Sequence, residues 1–231
     1  MTKDIENVYF EVLKQIVFMK LKPGDRISET KLSQKYSISR TPAREVLKKL
    51  EFENLLDIYS KSGCFVSKFD IDSLNNDMFL RASVEFSVMA EVLDKITNDE
   101  IKKIKEKLVK QYSLLKQNVY LKKEELANKF FEFDNEFHRE IYGIVGKESI
   151  LDYLNSSFPA FSRYRYLTFY RDEAEIDALY EIHLKMVSCL EQKDYKSLKA
   201  IVDLHNYSGL DGIDKVKEKH KDYFKEEDLW F

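Results

Sequence analysis

Glycine, proline and cysteine are all scarce in this chain: six, three and two residues among 231. So few turn formers beside 34% charged residues disfavour a turn-rich β-sandwich or a glycine-looped nucleotide fold. The two cysteines, Cys64 and Cys189, lie far apart, which argues against a disulfide framework or a thiolate metal site and reads as two buried thiols. Long apolar runs are missing as well. Nothing approaches the roughly 18 uncharged residues of a membrane helix. The opening "MTKDIENVYF" has neither a basic n-region nor a small-residue cleavage site, so the expectation is a cytoplasmic protein with no membrane partner.

What the chain does have is 44% hydrophobic and 13% aromatic content, enough for a substantial core in one or two domains. Its charge is uneven. Residues 1–69 carry 13 Lys and Arg against 9 Asp and Glu, whereas residues 70–231 carry 25 against 32. A basic first part and an acidic second part point to different partners, with a polyanion at the basic end.

Apolar residues Ile5, Val8, Val12, Ile16 and Met19 recur at helical spacing until "LKPGDRIS" breaks the pattern with a Pro-Gly turn. Ser28 is a candidate N-cap for a second helix, "ETKLSQKY". Thr41 and Pro42 suit the cap and first position of a third helix, whose Ala43, Val46, Leu47 and Leu50 face inward. The runs "LLDIY" and "CFVSKF" around "SKSG" read as a hairpin. Three helices and a hairpin make a winged helix-turn-helix over residues 1–69.

Residues 70–231 read as an all-α antiparallel bundle. Helices are expected from a cap at Asp72, from a capping box in "TNDE" at 97–100, and over about 122–145, 148–170, 174–191 and 194–208. That is six helices followed by a charged, amphipathic tail.

A recognition helix must be apolar behind and polar or basic in front. Residues 40–50 meet this requirement. Arg40 and Arg44 stand one turn apart and suit phosphate contacts or bidentate bonds to guanine. Lys31, Lys35, Lys48 and Lys49 suit phosphate as point charges, and the hairpin tip Lys61-Ser62-Gly63 can enter or flank the minor groove. A basic amphipathic helix on its own is commonly just a solvated face.

In the bundle, Asp134 and His138 are i, i+4 neighbours, and His183 and His205 sit mid-helix on separate segments able to meet them. Three imidazoles and one carboxylate suit a divalent transition metal such as zinc, nickel or manganese. Helical histidines also serve as hydrogen-bonded core or surface residues, and spacing alone does not choose. Arg81 and Glu85 are spaced as an i, i+4 ion pair.

The stretch "LKPGDRISETKLSQKYSISRTPAREVLKKLEFENLLDIYSKSGCFV" resembles the DNA-binding domain of the GntR transcriptional regulators, with its PG turn, "SRTPVREAL" recognition start and wing glycine. The resemblance implies that Arg40, Thr41 and Arg44 contact operator DNA and that Gly63 marks the wing tip. Ser62 stands where many members have Arg, and Thr30 where some have a basic residue. Residues 72–207 resemble the all-helical FCD domain of one branch of that family, matching its R-x-x-[aliphatic]-E pattern at Arg81 to Glu85 and its aspartate and histidine positions. The resemblance implies that Asp134, His138, His183 and His205 are metal ligands, and that Arg81 faces the cavity to pair with an effector carboxylate.

The expected function is therefore a homodimeric, ligand-responsive transcriptional regulator of double-stranded operator DNA: a repressor released by a small carboxylic acid, and not an enzyme. The alternative is a metal-dependent hydrolase or isomerase built on the same centre, with Glu132, Glu136 or Glu181 as general base.

Overall fold

The computed structural model describes residues 5–60, 62–117, 120–171, 173–209 and 213–226. The chain forms two compact units, one of Met1–Leu74, Pro159–Tyr164 and Lys215–Phe231, the other of Asn75–Phe158 and Arg165–Asp214.

In the first unit, α1 (Ile5–Val17), α2 (Glu29–Tyr36) and α3 (Arg40–Phe52) enclose a core of Val8, Val12, Ile16, Leu32, Val46 and Leu50. The inward residues are those the apolar periodicity selects, except that Ile5, at the start of α1, is exposed. Ser28 caps α2 by accepting from Lys31 N, and Ser37 leaves the helix in a left-handed conformation with φ 55°. The start of α3 differs from expectation. Its N-cap is Ser39, without a side-chain cap bond, so Thr41 and Pro42 lie inside the first turn. Proline is accepted there because the first four helical N–H groups have no intrahelical acceptor.

The hairpin is β2 (Leu56–Tyr59) against β3 (Gly63–Val66), and β1 (Arg26–Ile27) adds to the other edge of β3, giving antiparallel order β1-β3-β2. Two residues directly after a Pro-Gly turn carry too little pattern to announce a strand. The segment after α11 (Ile213–Lys219) belongs to this unit. Phe69 N donates to Tyr223 O and Lys225 N to Phe69 O, each at 2.8 Å, while Phe224 packs its ring on Phe69.

The helices that follow are α4 (Ile71–Lys95), α5 (Asn98–Lys116), α6 (Lys123–Ile144), α7 (Glu148–Ser157), α8 (Pro159–Arg171), α9 (Glu173–Gln192) and α10 (Tyr195–Tyr207). In the second unit α5 packs on α6 and α9, and α10 packs on α9. The helix expected over 148–170 is two helices, because Pro159 lacks the N–H that a continuous helix would use. Residues 71–207 therefore hold seven described helices where the sequence pattern suggests six. The cap of α4 is Asp70 rather than Asp72, since Asp70 Oδ1 accepts from Ser73 N at 3.0 Å. The Thr97–Glu100 capping box of α5 forms in full. Among the described residues no helix is long and apolar enough to cross a membrane.

Candidate metal centre and nucleic-acid interface

Asp134 and His138 lie one turn apart on the buried face of α6, a face made by Leu126, Phe130, Phe137 and Ile141. His183 comes from the middle of α9 and His205 from the last turn of α10. One ligand atom from each of the four residues falls within 4.8 Å of all the others. His183 Nε2 is 3.3 Å from Asp134 Oδ1 and 3.3 Å from His205 Nε2, and His138 Nε2 is 3.7 Å from Asp134 Oδ1. Donors bonded at 2.0–2.1 Å around a tetrahedral ion stand roughly 3.4 Å apart, so this spacing suits a first-row divalent metal.

The hydrogen bonding agrees with that fit. Asp134, His138 and His183 are buried, yet no hydrogen bond from the described residues reaches Asp134 Oδ1, Asp134 Oδ2 or His138 Nε2. Polar atoms this deep ordinarily have partners. Asp134 Oδ2 has the Arg165 guanidinium 3.2 Å away as an ion-pair partner, and a cation held by the set would satisfy Asp134 Oδ1 and His138 Nε2.

Glu85 of α4 lies behind the histidines, with Oε1 3.2 Å from His138 Nδ1 and Oε2 2.9 Å from His205 Nδ1. Gln111 of α5 plays the corresponding part for His183, Oε1 to Nδ1 at 3.0 Å. Arg165 of α8 places Nη1 3.2 Å from Asp134 Oδ2, and its Nη2 donates to Asn135 at 2.9 Å. These three residues are the ones sequence reasoning did not assign to the site. Arg163, two positions before Arg165, is buried elsewhere, stacked 4.3 Å over the Phe69 ring.

Electrostatics follow from this packing. Burial pushes the Glu85 carboxyl upward, but His205 and His138 outweigh it and hold the group well below the usual carboxylate range. Burial likewise opposes Asp134, and Arg165 with the three imidazoles draws it down. His183 is held well below the ordinary imidazole value, first by burial. It therefore stands neutral, as a ligand must.

Arg81 is buried on α4 and donates from Nη1 to Asn155 Oδ1 at 3.3 Å. Burial first, and then the neighbouring Arg165, bring it down to about 10, so it remains a cation at neutral pH. Arg81, Glu85, His138, Tyr142 and Asn206 border a cavity of about 10 Å³. That is room for roughly one water.

On the winged helix, Lys31, Arg40, Thr41, Arg44 and Lys48 are exposed while Ala43, Val46, Leu47 and Leu50 are buried behind them. A groove of about 410 Å³ is lined by Arg44, Lys48, Gly63, Arg26 and Glu29 among others. Glu29 holds Arg44 in a fork, with Nε 2.7 Å from Oε1 and Nη2 3.2 Å from Oε2. Gly63 has φ +107°, and a Cβ there would stand 3.0 Å from Arg26 Nε. Arg26 thus brings a guanidinium against the wing glycine. Lys35 donates to Gln15, and Lys49 lies 3.6 Å over the Tyr9 ring, so both also serve the domain's own packing. Lys61 lies outside the described residues.

The carboxylates named as bases for an enzyme lie at the surface. Glu132 and Glu181 are exposed, and Glu136 pairs with Lys110 at 2.6 Å.

Residues 4–66 match the family described as bacterial regulatory proteins, gntR family, and residues 78–207 match the FCD domain. Among characterised proteins, the HTH-type transcriptional repressor RspR of Escherichia coli K12 is 24% identical over 96% of this chain and 94% of its own. The Nta operon transcriptional regulator of Aminobacter aminovorans is 27% identical over 83% of this chain and 86% of its own. Among solved structures, Escherichia coli McbR/YncC has the same fold at TM-score 0.70 and 18% identity, over 94% of this chain and 99% of that one.

Proposed function

The chain belongs to the gntR family of bacterial regulatory proteins and carries its FCD domain, and from that premise we propose an effector-responsive, DNA-binding transcriptional regulator that acts as a repressor released by a small carboxylate. The observation that carries this reading is the pairing, in one chain, of an exposed basic face on α3 with a convergent aspartate and three-histidine set in which Asp134 Oδ1 and His138 Nε2 take no hydrogen bond.

On the DNA side, Arg40, Thr41 and Arg44 read base edges in the major groove, and Lys31 and Lys48 bind phosphate. Lys61 and Gly63 form the wing contact. Two copies of the chain bind a near-palindromic operator, since a two-fold dimer sets two recognition helices in successive major grooves. The winged helix is residues 1–69 and the effector, metal and dimerisation domain residues 70–231, of which Pro159–Tyr164 and Lys215–Phe231 fall in the compact unit of the winged helix.

In the bundle, Asp134, His138, His183 and His205 hold one divalent ion: zinc, nickel or manganese. The ion supplies a Lewis-acid position for an effector oxygen. Arg81 pairs with the effector carboxylate through its planar fork. The neighbouring cavity holds about one water, so the effector enters only as Arg81 releases Asn155 and the space widens. To carry the regulator from mostly one form to mostly the other, it must prefer one form by about 10⁴-fold.

The enzyme alternative lacks support in the placement of its bases, all at the surface. The direct test is to select operator fragments from genomic DNA with the purified protein, and then titrate one of them against carboxylic acids that raise the protein's melting temperature. Weakened operator binding with at least one such acid is expected. Unchanged binding with all of them would end the regulatory reading of the bundle.

A further inference from the structure

Three imidazoles on three different helices, His138, His183 and His205, turn the same nitrogen, Nε2, inward. We propose that Glu85 is the positioning residue of the centre: its single carboxylate takes the outer N–H of both His138 and His205 and so aims both Nε2 lone pairs at the ion. This rests on the proposed metal site.

Glu85 has one oxygen for each ring, Oε1 3.2 Å from His138 Nδ1 and Oε2 2.9 Å from His205 Nδ1, and its side chain is only 7% exposed. Asn206 Nδ2 also donates to Oε2. An ionised carboxylate only accepts. A neutral ring that donates to this carboxylate carries its one proton on Nδ1, which leaves Nε2 as a bare acceptor on both His138 and His205.

His183 arrives at the same state by another route. Its Nδ1 faces Gln111 Oε1 at 3.0 Å, and the Gln111 amide is oriented by donation from its Nε2 to Phe133 O at 3.5 Å. With all three tautomers set in this way, His183 Nε2 and His205 Nε2 meet lone pair to lone pair at 3.3 Å, beside the Asp134 carboxylate. Such an approach is repulsive in a buried site until a cation stands between the donors. Glu85 and Gln111 together thus build an acceptor set that is complementary to a metal and strained without one.

The two supports differ in strength. A carboxylate behind an imidazole raises its basicity and fixes its orientation, and loss of such a partner costs 10- to 100-fold in metal affinity in other sites. Glu85 does this twice, while Gln111 supplies one neutral acceptor.

Replacing Glu85 by Gln keeps the volume but leaves one carbonyl oxygen. One ring then faces an N–H₂ group and must turn or move its proton to Nε2. Zinc affinity, measured by competition with a chromophoric chelator, is expected to fall 10- to 100-fold in Glu85→Gln, and the visible absorption of the cobalt(II)-loaded protein to shift. In a His205→Ala background the same substitution should cost less, because one of the two rings it orients is gone. Zinc binding by Glu85→Gln within threefold of wild type would overturn the role of Glu85 and leave the metal site standing. Failure of the wild type itself to bind zinc would overturn the metal site and this proposal with it. Should Glu85→Gln not fold, long-range nitrogen–proton NMR on zinc-loaded wild type with labelled histidine reads the tautomers directly. Nδ1–H with Nε2 on the metal is expected at His138 and His205, and Nδ1 ligation at either one overturns the proposal.

Discussion

The guanidinium of Arg44, on α3, is held by the carboxylate of Glu29, on α2, through two hydrogen bonds of 2.7 and 3.2 Å. The two side chains are 62% and 32% exposed, so the pair adds little to stability. Its effect is on direction. A long, flexible side chain is fixed on the face where base edges would lie.

Arg44→Ala is accordingly expected to weaken specific operator binding by about ten- to a hundredfold while leaving binding to unrelated DNA nearly unchanged. Arg44→Lys should not restore it, because an ammonium cannot make the planar fork. Glu29→Gln frees the guanidinium, so binding to unrelated DNA should tighten at low salt and the specificity ratio fall. Anisotropy titrations with operator and scrambled duplexes at two salt concentrations check all three variants.

Gly63→Ala places a Cβ at a backbone φ of +107° and 3.0 Å from Arg26 Nε. The unfavourable conformation and the crowding of a flexible guanidinium should destabilise the winged helix by ~1–2 kcal/mol. Urea unfolding followed by circular dichroism reads the loss.

Much of the winged helix is legible in the sequence because its signals are local. The apolar set Ala43, Val46, Leu47 and Leu50 and the Ser28 cap, like the Thr97–Glu100 box of α5 in the bundle, each depend on residues within seven positions of one another. The two-residue strand β1 is not legible, since its pairing with β3 spans nearly forty residues and leaves no periodicity. The break at Pro159 is marked by a residue in plain view, but the apolar content on either side of it reads as one helix. In the bundle, Asp134 and His138 announce themselves as helical neighbours. The Glu85–His205 contact, between residues 120 positions apart, exists only once α4 and α10 are folded. Glu85 offers the nearer and ordinary partner Arg81 in sequence, which masks its place beside the histidines.

Asp77 supplies a pH test away from the metal donors. Half-burial raises its carboxyl to about 6, with Arg81 opposing. The folded pKa exceeds the unfolded value of about 3.9, so the folded state binds more protons between these values and stability falls as pH rises from about 4 to 6. The penalty is absent below pH 4 and complete above 6. Asp77→Asn should remove it, stabilising the protein at pH 7 by ~1 kcal/mol once solvent screening of a half-exposed group is allowed for, with no gain at pH 4. Melting temperatures of both proteins across pH 4–7 give the comparison.

Removal of the proposed ion should be visible as lost stability. Metal bound at 100 times its dissociation constant adds about 2.7 kcal/mol. Chelation is therefore expected to lower the wild-type melting temperature by several degrees. In Asp134→Asn, zinc should neither raise the melting temperature nor protect against a chelator, because the only anionic donor of the set is gone.

Whether Asp134, His138, His183 and His205 hold an ion is read from the metal content per chain, by native mass spectrometry and X-ray fluorescence, of wild type and His138→Ala after exposure to zinc, nickel and manganese. About one ion per wild-type chain, lost in His138→Ala, is the predicted result. A wild-type chain that takes up no ion, or a variant that retains the full complement, would contradict it.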